Sequence, residues 1–557
     1  MSRFRTIFWI FILSFGYILY RLFLIQVFES SRNIPLQKYL QVNKEVPVRG
    51  EIYDRHGQPL TLNRKTYNLY VNSQALRKKK KIQQVLKQEF KIKKASLSAV
   101  LKSNKWPKLK SQISEDKKNK LNQYYPQYIN FEEEWVRYYP ESSSAAHLLG
   151  FVGYDSVGQP KGYVGLEGYY NQELQGRPVI REQESDLLGI PFIGGLFTDI
   201  NDLSGLDLEL TIDLNVQKIV ESHLADGVKR YGAKQGCAIV LEPNNGKLLA
   251  LGCIPAFDPK KYYDYEDKDF VNPLVGQLFE PGSTFKPLIV AMALEEKKIK
   301  PKSVFPEKGP YQIGGYAIKT WDDQYRGKVD VQEILAKSSN VGMVHIIKTL
   351  SEKKVEQYFT KLGFKELTGI ELEGEANSLL KQRSEWYSID FATYSFGQGL
   401  AITPIQLVRA FTALTNNGYL IKPTILQNIV DQKNKQNLPK QDSFKKKVFS
   451  PRTTRQIRKM LYNAVENSEA IWPNKPEGYR FCGKTGTAQI PVKGQYDPSK
   501  TIASFIGFLP CDKPKFMLFT MYREPRSSPW GSETAAPTFF EIANSLILYY
   551  NIAPQSQ

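Results

Sequence analysis

Residues Gly236–Cys253 read GCAIVLEPNNGKLLALGC, two apolar runs around a polar turn. Asn245-Gly246 is the strongest short signal for a tight turn between antiparallel strands, so the stretch reads as a β-hairpin. Cys237 and Cys253 flank the turn almost symmetrically and so face each other across it. A disulfide is open to them in an oxidising compartment, but two buried thiols are the expectation. Just upstream, DLELTID (207–213) reads as a strand whose Asp213 can cap the helix LNVQKIVESHL. Val216, Ile219, Val220, His223 and Leu224 share one face of that helix. Three further strand-like runs follow much later: FCGKTGTAQ (481–489), TIASFIGFLP (501–510) and KFMLFTMYRE (515–524). A closing helix has Pro537 in its first turn, with Phe539, Phe540, Ile542, Ala543 and Leu546 behind it. Strands at both ends with helices between them imply an α+β domain on a central antiparallel sheet.

The rest of the chain is organised differently. Its 557 residues are too many for one ordinary domain. The first 28 form one expected unit, a cytoplasmic tail and transmembrane anchor. Ile7–Tyr20 is apolar apart from Ser14 and Gly16, and Leu22–Ile25 extends it past Arg21 to about the 20 residues a bilayer needs. Arg3 and Arg5 precede the segment and place the N-terminus in the cytoplasm by the positive-inside rule. No small-residue cleavage site follows, which favours a retained anchor over a removed signal peptide. Residues 29–205 read as a spacer or docking module in which nothing gathers nucleophiles, bases or metal ligands. Within it, RGEIYDRHGQPLTLNRKTYNLYVN (49–72) reads as strands around a His56-Gly57 turn, and YVGLEGYYNQELQG (163–176) as one amphipathic helix closed by Gly176. Residues 206–557 form the third unit.

A formal net charge of +20 admits nucleic acid, anionic membranes or acidic polymers as partners. No zinc-finger spacing, Rossmann glycine pattern or P-loop accompanies it, so no nucleic-acid partner is expected. The run ALRKKKKIQQVLKQEFKIKK (75–94) reads as a solvated helix face. The four cysteines fit no metal or redox spacing, with Cys482 and Cys511 expected in the core, and the four histidines are scattered. No metal and no cofactor are expected.

The chemistry begins at FEPGSTFKPLIVAMALEE (279–296), where Ser283 precedes an apolar helical pattern and Lys286 follows one turn later. Ser-x-x-Lys alone is weak, since Ser114/Lys117, Ser351/Lys354 and Ser443/Lys446 match it in polar, lysine-rich surroundings. Ser283 differs because its helix is largely buried. On one helical face the helix N-terminus stabilises charge on the serine oxygen, and burial disfavours the charged lysine. Lys286 can then act as the base for a Ser283 nucleophile, without histidine. Two partners follow: Ser338-Ser339-Asn340, between helices and behind an Asp330–Glu333 capping box, and Lys484-Thr485-Gly486-Thr487 on a strand. A decoy Ser31-Arg32-Asn33 abuts the anchor.

The S-x-x-K, S-x-N and K-T-G set, in this order, resembles that of penicillin-binding proteins. RGEIYDRHGQPL, YVGLEGYYNQELQG, GKLLALGCIPAFDP, SFGQGLAITPIQL and TAAPTFF extend the resemblance over nearly the whole chain, to the class B, membrane-anchored D,D-transpeptidases. GLEG, SFGQG and IASFIGFLP look more like the division-specific FtsI branch than the elongation branch. The resemblance implies a transpeptidase fold behind an elongated N-terminal pedestal of the dimerisation type. It further implies that Ser283 attacks the D-Ala-D-Ala carbonyl of a stem peptide and forms an acyl-enzyme, with Lys286 as base. Ser338 relays protons, Asn340 positions Lys286 and the substrate amide, and Lys484, Thr485, Gly486 and Thr487 hold the substrate. The Ser283 and Thr487 N–H groups form the oxyanion hole. Implied partners are peptidoglycan stem peptides on lipid II-derived glycan, β-lactams as covalent inhibitors, and an FtsW-type glycosyltransferase with other divisome membrane proteins. The implied location is the inner (cytoplasmic) membrane, spanned once, with the catalytic domain extracytoplasmic. Val179 in GRPVIREQ and Glu141 in YPESS depart from the family pattern, both in the N-terminal module. The competing readings are an elongation-type transpeptidase, a β-lactamase or β-lactam sensor with the same catalytic elements, and a division scaffold with a retired site.

Overall fold

The structure is a computed structural model describing residues 2–24, 26, 40–45, 47–90, 92, 97–98, 100, 102, 106–176, 179–184, 204–431, 436–438, 444–467, 470, 472–492 and 495–555. It divides into two compact units, residues 1–48 with 176–205, and residues 49–175 with 206–557. In the first unit, helix α1 (Ser2–Leu24) carries apolar side chains all round, and Phe4–Leu24 is long and apolar enough to cross a membrane. The same unit pairs strand Leu40–Glu45 antiparallel with Val179–Glu184.

The second unit opens with β1 (Ile52–Tyr53) and β2 (Pro59–Val71), joined through Gly57 at φ +77°. Strands β3 (Lys108–Ile113) and β4 (Ile129–Tyr138) both pair with β2. The lysine-rich stretch between β2 and β4 holds exposed helices, as expected, but it also contributes β3 to the sheet. Helix Lys80–Glu89 is not solvated all round: Ile82 and Leu86 are buried beneath its lysines. The segment from 163 forms two short helices, Gly165–Tyr169 and Asn171–Gln175, rather than one. The break follows its polar anchors. Glu167 is drawn into a buried pair with Arg49 and Arg137, while Asn171 accepts from Arg49 and from the Gly162 N–H.

Strand β5 (Asp207–Leu210) leads into α2 (Leu214–Tyr231), whose cap Asp213 accepts from the Asn215 and Val216 N–H groups. The hairpin follows as β6 (Gln235–Leu241) and β7 (Leu248–Ile254), with Gly246 at φ +79° in its turn. Then come α3 (Lys286–Glu295), β8 (Val304–Glu307), α4 (Val331–Ala336), α5 (Asn340–Ile347), β9 (Leu426–Asp431) and α6 (Pro451–Glu466). The chain ends with β10 (Cys482–Val492), β11 (Gln495–Leu509), β12 (Phe516–Arg523) and α7 (Ala535–Tyr549).

The central sheet has the order β7-β6-β12-β11-β10, antiparallel throughout. Successive residues of a strand point to opposite faces, and the two faces fill two cores. Val240, Phe505 and Leu518 pack with Val216, Val220 and Leu224 of α2 and Phe539, Phe540 and Leu546 of α7. Ile239, Ile506 and Phe519 pack on the other face with α3, whose residues from Lys286 to Leu294 are all buried. A helix apolar on every side belongs inside a core. A second, mixed sheet runs Gln436–Leu438, β9, β5, β1, β2, β3, with β1 parallel to β5.

The cysteines correct the expectation of free thiols. Cys237 and Cys253 are directly opposed in the β6–β7 register, with Cα atoms 4.1 Å apart, and are joined as a disulfide. Cys482 and Cys511 lie in the core as expected and are joined to each other. The hairpin register brings the first pair into bonding position, and the return of β11 to the start of β10 brings the second.

Candidate active site

Pro281 leads into a 3₁₀ turn, Gly282–Phe285, that runs straight into α3. The tight turn changes the local geometry from the single α-helix expected. In a 3₁₀ turn side chains at i and i+3 eclipse, so Ser283 and Lys286 project to the same side. Gly282 takes φ +56°, and a Cβ there would lie 3.0 Å from the Thr487 carbonyl oxygen. The close approach joins the serine turn to β10. Gly486 is needed for the same contact, since its Cβ would come within 2.5 Å of Ser504 Oγ and 2.8 Å of Thr284 Cγ2.

Lys286 is fully buried, and its Nζ donates to Ser338 O at 2.6 Å, Ser338 Oγ at 3.1 Å and Asn340 Oδ1 at 2.8 Å. Ser338 sits between α4 and α5 at φ +58°, a left-handed conformation for a residue with a Cβ. It is held on both sides. Asp330 and Glu333 close the capping box of α4, and Ser339 caps α5 through the Gly342 N–H. Asn340 donates onward from Nδ2 to the Lys319 carbonyl.

Burial pushes the Lys286 ammonium well below its ordinary range; Lys484 pushes it the same way and Glu307 opposes them. Lys484 on β10 is pushed down to about 7 by burial alone, and its Nζ donates to Thr485 O and Oγ1 at 3.3 and 3.2 Å. Thr487 Oγ1 accepts from the Gly531 N–H at 3.1 Å, which ties β10 to the loop before α7.

These groups line one cleft of about 530 Å³, the size of small-molecule sites in general. Ser283, Ser338, Asn340, Lys484, Thr485 and Thr487 all reach its wall, while Lys286 stands behind them and Gly486 supplies the close packing. The structure thus brings together every candidate residue named from the sequence. Sequence reasoning missed the aromatic walls: Trp321 and Trp530 meet edge to face at 5.4 Å, and Phe396 and Trp472 line the cleft beside them. Isolated aromatics carry no spacing signal. It also missed Glu280, which accepts from Tyr496 Oη and the Gly399 N–H, although Glu280 abuts the serine turn in sequence. No histidine reaches this cleft. His147 is buried and pushed down to about 4 by burial, and its Nε2 lies 3.2 Å from the Asp269 carbonyl.

A Penicillin binding protein transpeptidase domain model matches residues 236–544, and a Penicillin-binding Protein dimerisation domain model matches 44–194. The chain belongs to the class B penicillin-binding proteins. Among the relatives of this penicillin-binding protein, Stage V sporulation protein D of Bacillus subtilis is 32% identical, over 94% of this chain and 80% of that protein. A Peptidoglycan D,D-transpeptidase FtsI homolog of Mesostigma viride is also 32% identical, over 99% and 96%. Peptidoglycan D,D-transpeptidase FtsI of Escherichia coli is 28% identical, over 93% and 86%. The fold is shared with the crystal structure of a peptidoglycan synthetase from Bifidobacterium adolescentis, at TM-score 0.73 and 23% identity, covering 93% of this chain and 98% of that one. This penicillin-binding protein is therefore a serine-type D-Ala-D-Ala transpeptidase of cell-wall synthesis, acting on peptidoglycan and binding β-lactams. With α1 long and apolar enough to span a bilayer, it is a membrane-anchored penicillin-binding protein.

Proposed function

We propose that Ser283 is the nucleophile and Lys286 its base, in septal cell-wall synthesis during division. The observation that carries the residue roles is the buried Lys286, held by Ser338 and Asn340 behind the cleft that Ser283 and Lys484 line. Ser283 Oγ attacks the carbonyl of the D-Ala-D-Ala bond as its proton passes to Lys286 Nζ. The tetrahedral oxygen is stabilised by the Ser283 and Thr487 N–H groups. The C–N bond breaks, and the departing D-alanine amine takes a proton back through Lys286 and Ser338. An amine of a neighbouring stem peptide then attacks the acyl-enzyme, forms the crosslink and returns the serine to its hydroxyl form. Lys484, Thr485 and Thr487 hold the donor's terminal carboxylate, with Gly486 letting the strand pass close.

The N-terminus is cytoplasmic, α1 is the single membrane span of the inner membrane, and residues 29–205 form the pedestal before the catalytic domain at 206–557. An FtsW-type glycosyltransferase and other divisome membrane proteins are its partners. The division role is supported by the relatives named FtsI. One observation favours a second reading, the equal identity to a sporulation protein. A tagged copy confined to midcell in dividing cells supports the first, and one seen only in sporulating cells supports the second.

Labelling with a fluorescent penicillin tests the chemistry. Ser283→Ala abolishes the covalent label while the circular dichroism spectrum stays that of the wild type. A label that persists overturns the assignment, and rapid turnover of the adduct makes the chain a β-lactam hydrolase instead.

A further inference from the structure

Behind the serine-lysine pair lies a buried carboxylate that none of the three motifs contains. Glu307 closes β8 and is fully buried. Ser339 Oγ donates to its Oε2. Its Oε1 has no hydrogen-bond partner among the described residues, and Arg326 Nη1 stands 3.6 Å away, while that guanidinium reaches Asp322 at 2.6 Å. A carboxylate buried with one oxygen unsatisfied costs stability.

Its position gives it a use. Ser339 lies between the two cleft residues Ser338 and Asn340, and its hydroxyl joins Glu307 to the Gly342 N–H in the first turn of α5. Ser338 is in a left-handed conformation and needs such an anchor. We propose that Glu307 is a positioning residue for acylation, fixing the Ser338–Asn340 turn through Ser339 and setting the charge that Lys286 faces from behind. The inference rests on Lys286 being the base.

Lys337 and Glu533 line the same cleft as the pair. Lys484 faces Lys286 from β10. Arg326 faces Glu307 from the loop before α4, and His345 faces it from α5 with Lys348 beyond. A negative charge here favours the protonated form of Lys286, whereas Lys484 favours the neutral form. Glu307 therefore contributes, against burial and Lys484, to how far the pH must rise before Lys286 can accept the serine proton.

The test is the rate of acylation of the full chain in detergent by a fluorescent penicillin, from about pH 4.5 to about 9. Glu307→Gln keeps an acceptor for Ser339 and removes the charge, so the rising acid limb moves to lower pH. On that limb the rate relative to its maximum increases about threefold or more. Arg326→Gln leaves the carboxylate less neutralised and moves the limb the opposite way. If Glu307→Gln does not fold, the direction of the Arg326→Gln shift decides alone. A uniform loss at every pH with an unmoved limb makes Glu307 structural only and overturns the proposal. Wild-type chain that takes no label at any pH refutes the Ser283–Lys286 reading itself, a separate failure.

Discussion

Lys484 is only 4% exposed, and burial alone pushes its ammonium down to about 7. A lysine at that point is only partly charged at neutral pH, yet holding a carboxylate requires the charge. The two cleft lysines thus pull the pH dependence in opposite directions. Acylation rises as Lys286 loses its proton and falls as Lys484 loses its own. The second-order rate of penicillin acylation is expected to be bell-shaped, with its falling limb near pH 7. Lys484→Arg keeps the charge at every accessible pH, so the falling limb disappears even if the changed geometry lowers the maximum. A falling limb retained at the same pH in the Arg variant refutes the assignment. Residues such as Lys484 were legible because each sits in a short motif whose chemistry depends on close spacing. Glu307 was not: it lies 32 positions from Ser339, with no periodicity to connect them. Glu280 and Tyr496 are 216 apart and meet only because the hairpin of β10 and β11 returns over the serine turn.

At the scale of elements, the local signals that succeeded were caps and turns. Asp213, the Asp330–Glu333 capping box and the Asn245-Gly246 turn all stand where neighbouring residues alone dictate them. What failed needed tertiary partners. The helix from 163 breaks because Glu167 and Asn171 bind groups far away in sequence, and the hairpin cysteines were legible as facing each other but not as bonded. The bonded state has a direct check. Alkylation of the denatured, unreduced chain should label none of its four cysteines, and all four should react after reduction. Four reactive thiols without reductant would restore the free-thiol expectation. The Cys237–Cys253 bridge spans 16 positions of sequence, so a Cys237→Ala/Cys253→Ala pair should lower stability by about 3 kcal/mol in the chain-entropy account. Thermal unfolding of the double variant against the wild type reads that loss.

Across the second unit, the mixed sheet carries strands from both halves of the sequence, with β1 parallel to β5 and β5 antiparallel to β9. The RGEIYDR motif is thereby built into the same framework as the catalytic half rather than appended to it. Its polar keystone is Glu167, fully buried, accepting from Arg49 Nε at 2.7 Å and Arg137 Nε at 2.6 Å. Arg137 also donates to the Gly50 carbonyl at 2.7 Å, so β4, the motif and the GLEG helix share one network. Burial alone would raise the Glu167 carboxyl, but Arg137 and Arg49 outweigh it and hold the group below its ordinary value of 4.5. A depressed carboxyl contributes stability that is present above that ordinary value and lost as the pH falls through the folded one. Glu167→Gln leaves two buried guanidinium groups without a counter-charge, and breaking such a pair costs about 3–5 kcal/mol. The variant's Tm should fall well below the wild type's at pH 7, and the gap should narrow as the pH falls below 4.5 towards the depressed folded value, where the wild type loses the same carboxylate. Equal Tm values at pH 7, or a gap that does not change with acid, would mean that the network does not hold β4, the motif and the GLEG helix together.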